Sequence, residues 1–411
     1  MKERIFPREK YLKKIRPFYD SDVVKVITGI RRCGKSCILK SIFSELIASG
    51  VDEAQIIYIP LDRKGFKDIK KPEQLESKID SMLSGSKFEN YYLLIDEVQN
   101  LKGFESIVLA YQEEGFSVFL TGSNSYLLSD EITTKLTGRY VKFETFPLDF
   151  KEYLEMKQFL KAKIDEDLDK EFMTYMLEGG FPKSLEFDDL SARQLYTKSV
   201  VEEIFDKDIK KRKRIKNPML FERVQSFIVN NYSSPFSIQS LLKALARVDV
   251  KTKAVTVHSY ISELKKAKII YECNRFDLKS KKSLNRDQKY YLADLSIYFS
   301  NNTDNSLNVG SSLENMVYLY LVSNGYEVSV GRIGNMECDF IVRTPNQGYC
   351  YIQVTYSLMS DEIKEREYRP FRSIKDGYPR YIISLDKYRN QQEGVNHINA
   401  IDLFLGKVVL P

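Results

Sequence analysis

An α/β chain of several domains is what this sequence of 411 residues predicts. Three observations carry that expectation. Apolar, β-branched runs alternate with helix-period patterns up to about residue 150, the signature of a parallel sheet wrapped by helices. A glycine-rich segment joins the first such run to the first long helix. A helical, locally basic stretch then precedes a second set of strand-like runs near the C-terminus.

The first run is Val23 to Thr28 (VVKVIT), a buried-strand pattern. It leads directly into Gly29-Ile30-Arg31-Arg32-Cys33-Gly34-Lys35-Ser36, followed by Cys37 and a helix with Ile38, Leu39, Ile42, Phe43 and Leu46 on one face. Strand, loop and helix in that order are the context that GxxxxGK[ST] requires to cradle a phosphate. Gly29 and Gly34 let the backbone wrap an anion, and the loop N–H groups and helix N-terminus face it. Residues 29–37 are therefore the expected ATP-binding segment. Lys35 would reach the β- and γ-phosphates, and Ser36 would ligate Mg²⁺.

The second strand signal is Gln55 to Leu61. The third, Tyr91 to Ile95, ends in Asp96-Glu97. Behind a phosphate loop, such an acidic strand end predicts Asp96 as a Mg²⁺ partner and Glu97 as the base that orients and deprotonates water. The fourth run, Ser117 to Leu120, ends in Thr121-Gly122-Ser123-Asn124. Carboxyl ends of parallel strands carry ligand groups, so Asn124 or Ser123 is expected near the γ-phosphate or the water. Arg139 precedes the fifth run, Tyr140 to Phe146. It could complete a neighbour's site as a finger, sense nucleotide in its own, or be an ordinary surface residue.

The segments GIRRCGKS, LLIDEVQ, TGSNS, LTGRYV, FPLDFKEYL and GGFP resemble a bacterial and archaeal family, as do YYLADLSIYF, SLENMVYLYL, ECDFIV and REYRPFRSIKDGYPRYIISLD further on. Its members join an AAA-like P-loop ATPase module to a C-terminal domain of unknown function (DUF4143) with a restriction-endonuclease-like fold. The resemblance spans nearly the whole chain. It implies ATP hydrolysis of the additional-strand catalytic glutamate (ASCE) type and homo-oligomerisation, and it supplies no substrate.

Four domains are expected on this reading: the ATPase over 1–150, a helical lid or linker over 151–227, a winged-helix-like region over 228–300, and the nuclease-like domain over 301–411. The run from Asp206 to Lys216 is the densest in charge, consistent with a solvated helix or a phosphate-contacting segment. Two helices and a hairpin beyond Phe236 fit a winged helix. Residues 243–289 hold thirteen Lys or Arg and five Asp or Glu, a local excess of eight against a net +6 for the chain. That concentration suits DNA phosphates, although winged helices also dock proteins. In the last domain, Glu314, Asp339, Gln353 and Thr355 take the positions of a nuclease's acids and lysine. Gln353 binds Mg²⁺ weakly and Thr355 lacks a charge, so the site is expected not to cut DNA. Lys364 could substitute for the missing lysine. Arg366, Arg369, Arg372 and Lys375 suit partner binding or a solvated helix equally.

Composition removes other chemistries. Five cysteines without a CxxC pair read as reduced thiols, and His258 and His397 are the only histidines, so zinc sites and Ser/His/Asp catalysis lack material. No apolar run reaches the ~18 residues of a membrane span, and the basic N-terminus lacks the apolar core of a secretory signal. A cytoplasmic, Mg²⁺-dependent ATPase with appended domains is the leading expectation. An ATP-regulated DNA nuclease and a nucleotide-gated DNA-binding regulator or scaffold are the alternatives, and a protein partner is left unnamed.

Overall fold

The computed structural model describes residues 4–83, 88–122, 136, 138–210, 215–280, 282–302, 308–334, 336–343, 348–388 and 391–410. The chain divides into two compact units. One comprises 1–147 with the short segments 206–209 and 266–268, and the other comprises 148–205, 210–265 and 269–411.

Unit 1 is built on five strands: β1 (Val24–Gly29), β2 (Ile56–Pro60), β3 (Tyr92–Asp96), β4 (Ser117–Thr121) and β5 (Tyr140–Thr145). Their order is β2-β3-β4-β1-β5, and every neighbouring pair is parallel. Successive strand residues point to opposite faces, so each strand feeds two cores. Val24, Val26, Ile57, Ile59, Leu93 and Ile95 pack with helices α3 (Pro72–Leu83) and α4 (Phe104–Glu113). Ile27, Ile56, Tyr92 and Leu94 pack with α1 (Glu9–Ile15) and α2 (Lys35–Ala48). The five expected strands and the doubly wound arrangement are thus observed. Ile38 on α2 is fully buried, so Ile38→Ala should cost about 2–5 kcal/mol.

Unit 2 begins with α5 (Phe150–Leu160), α6 (Leu168–Glu178) and α7 (Leu190–Ile204). Asp149 and Glu152 form a reciprocal capping box that starts α5. The GGFP turn has a packing reason. A Cβ on Gly179 would lie 1.9 Å from the Asp294 carboxylate, and one on Gly180 would lie 2.2 Å from the Leu148 carbonyl. Asp294 in turn accepts from the Gly180 N–H at 2.6 Å and the Ser296 N–H at 2.9 Å.

Helices α8 (Pro218–Asn230), α9 (Ile238–Ala246) and α10 (Ala254–Lys266) lead into the hairpin β6 (Ile270–Asp277) and β7 (Lys282–Leu292). After α11 (Ser296–Asn301) and α12 (Val309–Ser323) come β8 (Glu327–Ile333), β9 (Met336–Arg343), β10 (Tyr349–Val354), α13 (Asp361–Arg372), β11 (Arg380–Ser384), β12 (Gln391–Gln392), β13 (Val395–Asn399) and α14 (Ala400–Phe404). These strands form one sheet of eight in the order β12-β13-β11-β10-β9-β8-β6-β7. The hairpin expected to be a free wing is therefore part of the C-terminal sheet: β6 pairs in parallel with β8, Arg275 opposite Val330 and Asp277 opposite Arg332. Gly331 permits this layer to close, since a Cβ there would sit 2.9 Å from Cys338 and Ile341. A sequence boundary near residue 300 cuts through that sheet. Among the described residues, no helix is long and apolar enough to cross a membrane.

Candidate functional site

The carboxyl ends of β1 and β3 bring the expected phosphate residues together. Gly29 ends β1 against β5, where a Cβ would lie 2.1 Å from the Thr145 carbonyl, so only glycine fits. Arg32 (φ 68°) and Gly34 (φ 103°) have left-handed backbones that curl the loop onto the N-terminus of the 14-residue helix α2. Amide groups and helix dipole then converge on one anion-sized position. Lys35 is buried, and its Nζ donates to the carbonyls of Gly29 at 3.2 Å and Ile30 at 3.0 Å. Among the described residues its Nζ meets the neutral carbonyl dipoles of the loop, so an incoming phosphate offers a stronger partner.

Ser36 Oγ donates to Asp96 Oδ1 at 3.0 Å, and Thr121 Oγ1 donates to the same oxygen. Tyr58 OH reaches Asp96 Oδ2 at 3.4 Å. Asp96 is buried at the end of β3, and that burial, reinforced by the Glu97 charge, pushes its pKa above the usual carboxylate value despite the two hydroxyls. Glu97 follows in a left-handed conformation (φ 55°), fixed by its N–H donating to Thr121 Oγ1 at 3.0 Å. Gln99 Nε2 donates to the Glu97 carboxylate. Hydroxyl and carboxylate oxygens side by side are the hard donor set that Mg²⁺ favours, so Ser36 and Asp96 fit that ion.

Three residues at this site have roles that the sequence motifs did not indicate. Thr121 and Gln99 orient Asp96 and Glu97. Arg8, almost wholly buried, donates to the carbonyls of Cys33 at 2.8 Å and Phe146 at 3.0 Å, clamping the underside of the loop. Cys33 Sγ donates to the Thr145 carbonyl at 3.4 Å, and its burial raises the thiol pKa, so it is structural. Arg31 points to Asp208, with Nε to Oδ2 at 2.9 Å and Nη2 to Oδ1 at 2.8 Å. Cys37 is exposed.

Of the remaining expected residues, one is described and lies away from this site. Asn124 and Ser123 lie outside the described residues. Arg139 stands at the opposite edge of the sheet: its carbonyl accepts from the Val24 N–H, and Val24 is opposite Tyr140 while Gly29 is opposite Thr145. Six strand residues separate it from the loop, about 20 Å at ~3.3 Å per residue. A sensor role for Arg139 within its own site is thereby corrected. Its Nη1 meets Glu113 at 2.6 Å on the exposed surface.

The basic stretch is also less available than its composition suggests. Lys265 pairs with Glu272, Lys268 with Glu144, Arg275 with Glu337, and Lys289 with Glu314 and Glu337. Lys243, Arg247, Lys251, Lys253, Lys279 and Lys282 are exposed. Lys281, and Lys211 to Arg214 of the charge run, lie outside the described residues.

In unit 2 the nuclease-position residues do cluster, with additions. Lys289 Nζ lies 2.9 Å from Glu314, 2.8 Å from Glu337 and 3.6 Å from Asp339. Gln353 accepts from the Asp339 N–H at 2.7 Å and donates to Glu367 at 2.8 Å. Burial alone would lower the Lys289 pKa, but the three carboxylates overturn that and keep it protonated far above its usual value. Burial pushes Glu314 up to about 7. Lys289 of β7 and Glu367 of α13 are thus part of this cluster. Lys364 is elsewhere, on an exposed pair with Asp361. Arg366 binds Glu367, and Arg372 binds Glu365 and Glu393. Among the described residues, no group of three or more His, Cys, Asp or Glu is arranged to hold a metal ion. His397 is buried between Ser384 Oγ at 2.8 Å and the Tyr388 carbonyl at 2.7 Å, with Ser384 fully enclosed, so that pair belongs to the core.

Residues 21–154 match the family model of an AAA domain, and residues 169–306 match a domain of unknown function (DUF8612). An uncharacterized protein of Haemophilus influenzae is 30% identical over 411 residues, covering 98% of this chain and 100% of the relative. An uncharacterized protein of Methanocaldococcus jannaschii is 30% identical over 368 residues, covering 86% and 79%. Among solved structures, a Walker-type ATPase of Pyrococcus abyssi superposes with a TM-score of 0.52 at 18% identity, over 73% of this chain and 96% of that one. That likeness establishes a shared fold.

Proposed function

This chain belongs to one family with the Haemophilus influenzae protein, and from that membership and its AAA-type P-loop module we propose that it is a Mg²⁺-dependent ATPase whose nucleotide state rearranges its appended domains. The observation that carries the reading is the convergence of Lys35, Ser36, Asp96 and Glu97 at one sheet edge, with hydroxyl and carboxylate already in contact. Lys35 and the loop amides bind the phosphates. Ser36 and Asp96 would hold Mg²⁺, which when bound neutralises phosphate charge. Glu97, positioned by Thr121 and Gln99, takes the proton of the attacking water. Lys35→Ala should abolish nucleotide binding. Glu97→Gln should bind ATP with little change yet hydrolyse it about 10²–10⁴ times more slowly, read by phosphate release. Unchanged turnover in Glu97→Gln would remove the mechanism.

The wider reading is of the same kind. Residues 151–227 act as a helical lid, residues 228–300 as a winged-helix-like domain, and residues 301–411 as a restriction-endonuclease-like domain of the DUF4143 type. The position of Arg139, remote from its own loop and on the surface, favours a finger acting across a homo-oligomer. Mixing Arg139→Ala with Glu97→Gln protein should then recover activity. Exposed Lys243, Arg247, Lys251 and Lys253 favour DNA contact next to α10, tested by salt-dependent binding and by ATP turnover with and without DNA.

A second reading, an ATP-regulated DNA nuclease, draws on Lys289 and Glu367 beside Asp339. We rank it lower because the Lys289 ammonium already neutralises the carboxylates that a metal would need. Plasmid cleavage with Mg²⁺ or Mn²⁺, lost in Asp339→Ala, would reverse the ranking.

A further inference from the structure

We propose that the ion pair between Arg31 and Asp208 is a latch on the phosphate loop, and that a bound nucleoside triphosphate opens it. The proposal rests on residues 29–36 being a nucleoside-triphosphate site, and it adds how occupation of that site is transmitted.

Arg31 lies within the loop, two residues after Gly29 and four before Lys35. Its guanidinium grips Asp208 with two parallel bonds of 2.9 and 2.8 Å, although the residues are 177 positions apart. The pair is largely shielded, with side chains 15% and 5% exposed. Two-pronged Arg–carboxylate pairs of this kind are among the stronger protein hydrogen bonds.

Asp208 sits on an unusual piece of backbone. Helix α7 ends at Ile204 and runs directly into a π-helical turn, Phe205–Lys210. Such turns insert an extra residue, re-aim the side chains that follow, and concentrate at functional positions. Here the turn directs Asp208 onto the loop. Residues 206–209 belong to the compact unit of the loop, whereas the chain on either side of them belongs to the other unit. This short turn is thus part of the nucleotide module, although it lies far along the chain from the loop.

A triphosphate changes both halves of the pair. Its several negative charges offer Arg31 a stronger partner than one carboxylate. They also place like charge near Asp208, which disfavours a carboxylate there. Nucleotide binding and the latch therefore oppose each other. By reciprocity, whatever factor nucleotide takes from the latch, loss of the latch must return to nucleotide affinity.

The test uses the full-length chain and a non-hydrolysable ATP analogue with Mg²⁺. Asp208→Asn keeps the shape and removes the charge, and Asp208→Glu keeps the charge as a control. Nucleotide affinity is measured by titration, and hydrogen exchange is followed in peptides covering 205–210. Asp208→Asn should bind the analogue about tenfold more tightly than wild type, with Asp208→Glu near wild type. Exchange over 205–210 should rise in wild type on adding the analogue, and should already be high in nucleotide-free Asp208→Asn. Wild type that binds the analogue while Asp208→Asn binds no tighter, or while exchange over 205–210 is unmoved, would overturn the latch alone. Wild type that fails to bind nucleotide would overturn the phosphate-site reading, and the latch with it.

Discussion

Two clusters in this molecule combine carboxylates with a buried lysine, and they spend their charge in opposite ways. In unit 1, Lys35 contacts the loop carbonyls of Gly29 and Ile30, and Asp96 receives hydroxyls from Ser36 and Thr121. In unit 2, Lys289 faces Glu314, Glu337 and Asp339 directly. The first leaves Lys35 against carbonyls and Asp96 against hydroxyls, groups that an anion and a cation can replace. The second satisfies itself. The difference teaches that residue types alone do not identify a reactive site: what matters is whether the charges have already found each other.

Substitution of the two lysines should break this comparison most visibly. Lys289→Met leaves the largely shielded Glu314 and Asp339 without their counter-charge, while Glu337 keeps Arg275, at a cost of about 3–5 kcal/mol. Thermal unfolding should register a large fall in Tm. Lys35→Met removes no opposite charge from a fixed pair and should leave Tm close to wild type while abolishing nucleotide binding. Equal Tm losses for the two would end the distinction.

A smaller effect is expected beneath the loop. Arg8→Met leaves the Cys33 and Phe146 carbonyls without their buried donor, which costs about 1–3 kcal/mol. Nucleotide affinity should weaken along with stability, because the same donor shapes the phosphate cradle. Loss of stability with affinity intact would make Arg8 purely structural.

Acidity distinguishes the clusters more finely. Glu314 holds its proton more tightly folded, at about 7, than its ordinary value of 4.5. The folded state then binds more protons than the unfolded one in that window, so stability falls as pH rises from about 5 to 8. The expected change is a few degrees in Tm, flattened by Glu314→Gln. Asp96 is raised in the same sense by burial. Its charged form is the one that suits Mg²⁺, so Mg²⁺-dependent nucleotide binding should weaken on acidification at a higher pH than an ordinary carboxylate would allow. Binding that persists down to the range where an ordinary aspartate titrates would contradict a raised Asp96.

Much of unit 1 was legible because its signals are local. GIRRCGKS, the strand runs and the acidic end of β3 are each read within about ten residues. The basic stretch misled for the opposite reason. A window from 243 to 289 counts Lys268, Arg275 and Lys289 but misses Glu144, Glu314 and Glu337, which neutralise them from elsewhere in the chain. The residues around Gln353 had the same limit: Glu367 and Lys289, which join Gln353 and Asp339, lie on other elements far along the chain.

The sequence by itself determined the phosphate loop, the five strands of the first sheet and the acids beside it, since periodicity and glycine placement are properties of neighbouring residues. Only the tertiary structure decided that the β6–β7 hairpin joins the C-terminal sheet, that Arg139 stands about 20 Å from its own loop, and that Arg31 is held by Asp208. Those outcomes depend on which distant segments pack together. Pairing charges over 177 residues is set by the closure of the whole chain, and no local pattern encodes it.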